Sequence, residues 1–194
     1  MNTDRVIVVG ASIGGVLAFR QLLSPLPTDF AAPILIVQHI DGHQSVLPDL
    51  LGRMTRLPVA FAQHGQRIQA GRIYVAPPDR HLTLDQDELV LTQAAKEHHT
   101  RPAIDPLFRS AAASRGPDVI GIVLSGGLSD GAQGLLAIKR AGGTAVVQHP
   151  ADAEAEGMPL SALNAVTVDH CLPADESGAC LQALVAGREC RRRP

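Results

Sequence analysis

Four runs of apolar, largely β-branched residues punctuate the chain: Arg5–Val9, Ile34–Gln38, Val119–Leu124 and Thr144–Gln148. Runs without polar alternation predict strands buried on both faces. Segments with helical spacing lie between them. Val16–Leu23 is stopped by Pro25 and Pro27, Ile104–Ser114 is amphipathic, and Gly131–Ala141 ends at Gly142 and Gly143. Val46–Met54, with Pro48 in its first turn, Met158–Asn164 and a segment from about Asp175 to Ala186 predict three further helices. Val59–Ala62 and Val166–Asp169 predict short strands. From Gly71 to Thr92 the rhythm shortens. Arg72–Val75, His81–Leu84 and Glu88–Leu91 are brief strands, with turn residues at Pro77, Pro78 and Asp79 and again at Asp85–Asp87. This stretch predicts an antiparallel insertion on the edge of the sheet. Lys96–Arg101 is polar and reads as a loop. Alternating buried strands and helices argue for an α/β, doubly wound, mostly parallel sheet with helices on both faces. A single domain is expected over residues 1–187, followed by a polar tail over 188–194.

Composition narrows the functional classes. The 194 residues carry a net charge of −2, with 45% hydrophobic and 19% charged residues, so a packed core is affordable and a disordered charged tail protein is excluded. Aromatics are 3%, with no Trp, which argues against base stacking; the near-neutral balance argues against a broad phosphate-binding face, so no nucleic-acid partner is expected. No apolar run near the start is long enough for a signal peptide or a membrane span, so the chain is not expected to be membrane-inserted. Cys171, Cys180 and Cys190 match no zinc spacing, and their odd number suggests no closed disulfide framework. A reducing cytoplasm is the expected compartment. Neither a metal nor a cofactor is expected.

In doubly wound sheets, ligands bind beyond the carboxyl ends of the strands. Three reactive side chains fall there. Ser12 follows the first strand, His39 ends the second, and Asp130 follows the strand Val119–Leu124 across the loop Ser125–Ser129. A hydroxyl, an imidazole and a carboxylate on one rim make up a nucleophilic triad. Each also has a structural reading: Ser12 as the cap of the helix after it, His39 as a buried histidine bonded to backbone, Asp130 as the cap of Gly131–Ala141. The chain order Ser, His, Asp differs from that of the α/β-hydrolases. Gly10–Gly15 fails as a dinucleotide turn, because Ser12 stands where the fingerprint needs glycine and no acid ends the second strand.

Several segments in fixed order resemble one family. They are Val8–Gly15, Val37–His39, Gly71–Pro77 with His81 and Leu82, Arg101–Phe108, Ile122–Gly126, Asp130–Leu135, Ile138–Lys139 with Ala141–Gly143, and Gly157–Pro159. Together they resemble the catalytic domain of the CheB protein-glutamate methylesterases, over nearly the whole chain. The resemblance implies Ser12 as nucleophile, His39 as base and Asp130 as acid. It implies hydrolysis of methyl esters on glutamyl side chains of methyl-accepting chemotaxis receptors, and leaves open whether glutamine is deamidated as well. The receptors' cytoplasmic helices are the expected partners. Backbone N–H groups at Ile13 and Gly127 are the oxyanion candidates, and Arg101 is a candidate contact for an acidic receptor helix. The other histidines, His43, His98, His99 and His149, are read as non-catalytic.

Departures from the pattern set further expectations. Ile13 replaces the usual Thr or Ala after the nucleophile, and Gly127 and Leu128 stand where Met and Gly are usual. A working but slower esterase is expected, unless Leu128 has shifted into the role of the Met. The family usually carries an amino-terminal receiver domain, whereas four residues precede the first strand here; control is expected to be absent or supplied by a separate receiver chain. The alternative class is a non-catalytic or differently targeted interaction module in signalling.

Overall fold

The computed structural model describes residues 5–39 and 45–190. Seven strands form a wholly parallel sheet: β1 (Val6–Ala11), β2 (Ile34–Gln38), β3 (Val59–Phe61), β5 (Ile73–Val75), β8 (Val119–Val123), β9 (Thr144–Gln148) and β10 (His170–Leu172). Their order across the sheet is β10-β9-β8-β1-β2-β5-β3. The chain leaves β1 in one direction and later returns to its other side at β8, so the sheet reverses at β1. Such a switch point opens a crevice at the carboxyl ends of the strands.

The uninterrupted apolar runs are explained by two cores. Val6 and Val8 of β1 pack on one face, with Ile104, Leu107 and Phe108 of α3 (Ile104–Arg115), Leu135 and Ile138 of α4 (Ala132–Arg140), and Met158 of α5 (Gly157–Ala165). Ile7, Val9 and Ala11 pack on the other, with Phe19 and Leu22 of α1 (Gly15–Leu23), Leu51 of α2 (Leu47–Gly52) and Leu181 of α6 (Ala174–Val185). The period-2 alternation of a strand is present, but both faces are apolar, so polarity conceals it. Among the described residues no helix is long and apolar enough to cross a membrane.

The stretch read as an edge insertion divides differently. Ile73, Tyr74 and Val75 are all buried and pair in parallel with β2 and β3, inside the main sheet. The antiparallel sheet consists of β4 (Gln66–Arg67), β7 (Glu88–Thr92) and β6 (His81–Asp85). β4, at two residues, was too short to signal itself in the sequence. This small sheet lies on α3: the Leu84 N–H donates to Ser110 Oγ at 3.0 Å, and Ser114 Oγ donates to the Leu84 carbonyl at 2.9 Å. The expected strand Val166–Asp169 is a connection. The Val166 N–H closes the end of α5 on the Ala162 carbonyl, and the chain reaches β9 only at Asp169, whose N–H donates to the Ala145 carbonyl at 2.9 Å ahead of the strand register from His170.

The cysteine reading also changes. Gly187, at φ 68°, turns the chain after α6 so that Cys190 returns to Cys180, and the two form a disulfide with a Cα–Cα distance of 4.7 Å. Spacing along the chain did not reveal this closure, so the cysteines no longer argue for a reducing compartment.

Candidate active site

β1 and β2 are in register from Ile7 with Ile34 to Ala11 with Gln38. Ser12 and His39 are the next residues on the two strands, so the parallel pairing alone sets them side by side. The His39 N–H donates to the Ala11 carbonyl at 3.1 Å, and the Ser12 N–H donates to the Ser125 carbonyl beyond β8 at 2.9 Å. Gln38 adds a clamp: its Nε2 donates to the carbonyls of Ser12 at 2.7 Å and His39 at 3.1 Å. One buried amide thereby ties the backbones of both residues together.

The turn after Ser12 requires glycine. Gly14 sits at φ 75°, and a Cβ there would lie 2.6 Å from Glu154 Cβ; a Cβ on Gly15 would lie 2.1 Å from Gln38 Oε1. The cap of α1 is Gly14, with no side-chain bond, so Ser12 does not cap that helix. Beside Ser12 opens a cleft of about 440 Å³, walled by Val16, Leu17 and Met54 and edged by Arg20 and Glu154.

Asp130 does not cap α4, whose cap is Gly131 without a side-chain bond. Its carboxylate instead receives the first turn of α3, accepting the Ile104 N–H on Oδ2 at 2.7 Å and the Asp105 N–H on Oδ1 at 2.9 Å. These are free donors of a helix start, where a negative charge is stabilised. His39 Nε2 lies 2.7 Å from the same Oδ2. Asp130 is 1% exposed. Burial alone would raise its pKa, but the His39 bond and the two N–H donors outweigh it and hold the carboxyl below its ordinary value. With Nε2 on the carboxylate, Nδ1 is the ring nitrogen left to take a proton. Among the described residues no hydrogen bond joins Ser12 Oγ to the ring. The pair nonetheless has an oriented base beside an unengaged hydroxyl, the arrangement for nucleophilic attack.

The oxyanion candidates lie on either side of Ser12. Ser125 Oγ donates to the Ile13 carbonyl at 2.7 Å and accepts the Ala155 N–H at 2.9 Å, fixing both loops. The Gly126 N–H is engaged by the Ala155 carbonyl at 3.0 Å, whereas the N–H groups of Ile13 and Gly127 have no protein acceptor among the described residues. Leu128 is at φ 62° and 77% exposed, so its side chain does not occupy a buried Met-like position.

Arg101 is engaged within the protein. Its guanidinium binds Asp79 at 2.6 and 3.1 Å and the carbonyls of Gln93 and Ala94 at 3.1 and 2.7 Å. Those donors hold the loop before α3, which gives Arg101 a structural role and leaves one guanidinium N–H for the receptor contact read from sequence. His149 Nδ1 accepts the Ala151 N–H, a local turn role. His43 lies outside the described residues. His98, read as a loop residue, sits instead with Nε2 2.8 Å from Asp105 Oδ2. Among the described residues the fold gathers two clusters of ligand-type side chains that spacing did not show: His98 with Asp105 and Asp130, and His170 with Cys180 and Cys190. Hydrogen bonds account for the first and the disulfide for the second.

Sequence reasoning missed Gln38, Gly126, His98 and Asp105. Gln38 carried a faint signal, as a polar residue ending an apolar strand. Gly126 lay in a matching segment, but nothing local showed its packing role: a Cβ there would lie 2.1 Å from Met158 Sδ and 2.9 Å from Ser12 Cβ.

The CheB methylesterase family model matches residues 7–181. A protein of Anaeromyxobacter dehalogenans named protein-glutamate methylesterase/protein-glutamine glutaminase 2 is 42% identical over 92% of this chain. The match spans 53% of that relative's length. A Leptospira interrogans protein, provisionally given the same activity name, is 41% identical over 89% of this chain and 90% of its own length. The crystal structure of the Thermotoga maritima CheB methylesterase catalytic domain superposes with a TM-score of 0.89 at 30% identity, covering 93% of this chain and 98% of that one.

Proposed function

The chain belongs to the CheB methylesterase family, and from that membership we propose that it is a serine hydrolase removing methyl esters from glutamyl side chains of chemotaxis receptors. The observation that carries this reading is the 2.7 Å bond from His39 to a buried, ionised Asp130, with Ser12 next to His39 across the paired strand ends. Ser12 is the nucleophile, His39 the base and Asp130 the group that orients the ring.

The reaction follows as acyl transfer. Ser12 Oγ attacks the ester carbonyl carbon while Nδ1 of His39 takes the hydroxyl proton. The carbonyl oxygen becomes an oxyanion, which the N–H groups of Ile13 and Gly127 stabilise; one such donor is worth about 10²–10³ in rate. The tetrahedral adduct collapses, and methanol leaves with the proton from His39. The ester of Ser12 with the glutamyl carbonyl remains. Water, deprotonated by His39, attacks it, and a glutamate carboxylate and free Ser12 are released. Glutamine enters the same path with ammonia as leaving group. The cleft between α1 and Glu154 receives the side chain, and the substrate lies on the cytoplasmic helices of the receptor. No feature favours a non-catalytic module over this reading.

The test is Ser12→Ala on methylated receptor. Methanol release falls to background while the melting temperature stays near that of the parent, since Ser12 caps no helix. Turnover retained by the folded variant would refute the assignment.

A further inference from the structure

A second histidine–aspartate pair stands directly behind the first. Asp105 is 1% exposed, like Asp130. Its Oδ1 accepts the Gly134 N–H of α4 at 2.6 Å, and its Oδ2 faces His98 Nε2 at 2.8 Å. The same Nε2 lies 3.6 Å from Asp130 Oδ1. Asp130 Oδ1 in turn holds the Asp105 N–H. The imidazole of His98 thus sits against two buried carboxylates, one of which orients His39. Buried carboxylates are costly unless paired with a donor or a cation. Among the described residues, the basic side chains at this pair of acids are His39 and His98.

The backbone at His98 supports a positional role independently. Glu97 and Thr100 close a turn, with the Thr100 N–H on the Glu97 carbonyl at 2.9 Å. Its central residues, His98 and His99, lie at φ 51° and 64°. Two consecutive left-handed residues are uncommon outside glycine; histidine is one of the few side chains enriched there, still at a backbone cost. Such strain persists only where surrounding contacts over-determine it. Here Arg109 of α3 grips Glu97 at 2.7 and 2.8 Å, and Thr100 Oγ1 donates to the Pro102 carbonyl. The strained turn delivers one ring to one place, over Asp105 and Asp130.

We propose that His98 is a positioning residue for the hydrolase, bridging Asp105 and Asp130 and so setting the orientation of the carboxylate that serves His39. This rests on the serine-hydrolase reading above. The groups facing His98 are Asp105 from α3, Asp130 from the loop before α4 and, through Asp130, His39 from the end of β2. Glu97 is paired with Arg109, and His81 of β6 is engaged by the Ala95 carbonyl and the Ala103 N–H. Removing the imidazole takes the ring N–H from Asp105 Oδ2 and the ring from its place against Asp130 Oδ1. The carboxylate that serves His39 then loses a fixed neighbour.

His98→Gln retains an N–H donor for Asp105 but removes the ring that reaches Asp130; His98→Ala removes both. In His98→Gln the acid limb of kcat/KM for methanol release moves away from its parental position. In His98→Ala the limb moves likewise and kcat falls about tenfold, a common effect of losing a supporting partner. Proton NMR supplies a readout that needs no turnover. The low-field ring N–H of His39 on Asp130, identified by its loss in His39→Gln, changes position in His98→Gln. A parental profile and resonance in folded His98→Gln would overturn the proposal. So would a fall in kcat with an unmoved limb and an unmoved resonance, because a merely structural turn behaves so. If the parent protein hydrolyses no methyl ester, the hydrolase reading fails, and the resonance still decides whether His98 acts on the His39–Asp130 pair.

Discussion

Gly126→Ala is the substitution by which the packing around the nucleophile is best tested. Gly126 is absent from the residues at positive φ, so alanine has no backbone penalty there. The cost is space. The new methyl would stand 2.1 Å from Met158 Sδ and 2.9 Å from Ser12 Cβ, where ordinary contact begins near 3.4 Å. The Met158 thioether must retreat by more than an ångström within a core where that residue is fully buried. The Ser12 Cβ has less freedom, because its backbone is held by the Ser125 carbonyl and by Gln38 Nε2. Overpacking of this kind costs about 1–3 kcal/mol, which in a domain of this size lowers Tm by about 2–4 °C per kcal/mol. The larger effect falls on chemistry: Ser12 Cβ must give by about half an ångström, and since a full ångström costs about 10²-fold in rate, kcat falls by about tenfold. Calorimetry and methanol release on one preparation separate the two. In Gly126→Ala with Met158→Ala, the sulfur clash is gone but the Ser12 contact remains, so kcat stays low. Gly127→Ala is the control, since a Cβ there meets only Ile13 Cδ1, at 4.0 Å. A folded Gly126→Ala protein with kcat within twofold of the parent would refute the reasoning.

The remaining predictions concern the clamp, the altered loop and pH. Gln38→Leu removes the amide shared by the Ser12 and His39 carbonyls and leaves both without that donor; it costs about 1–3 kcal/mol and lowers kcat more than it raises KM, as steady-state kinetics with a thermal melt will show. Gly127→Met has room at its Cβ and a backbone outside the positive-φ region, so it folds normally and raises kcat if the loop side chain walls the substrate methyl; a fall in kcat would show that Met overpacks the loop. The Asp130 carboxyl is held below its ordinary value, so its contribution to stability is fully present above the unfolded carboxyl pKa, about 3.9, and is lost as pH falls through the lower folded value. The Tm gap between the parent and Asp130→Asn is therefore constant at neutral pH and narrows below about pH 4.

Much of the fold was written in local pattern. Continuous apolar runs marked β1, β2, β8 and β9 because a strand covered on both faces needs no polar positions, and prolines and paired glycines marked where helices stop. The rim candidates Ser12, His39 and Asp130 were legible for the same reason: in a parallel doubly wound sheet, the residue after a buried strand is at the ligand end whatever its partners are. Pairing was decided only by tertiary structure. Three apolar residues, Ile73–Val75, look alike as an edge hairpin strand or an interior parallel strand, and only the burial of both faces between β2 and β3 chose the second. The role of Asp130 was hidden because the helix it caps, α3, lies 25 residues earlier in the chain. Arg101 looked available from sequence until Asp79 and two carbonyls took most of its donors. His98 looked like a solvated loop histidine, because sequence does not reveal which loop folds back over which carboxylate. Local sequence determines which surfaces are apolar and where the chain turns; which polar groups then meet depends on contacts distant in sequence, whose partners are selected only when the two cores close.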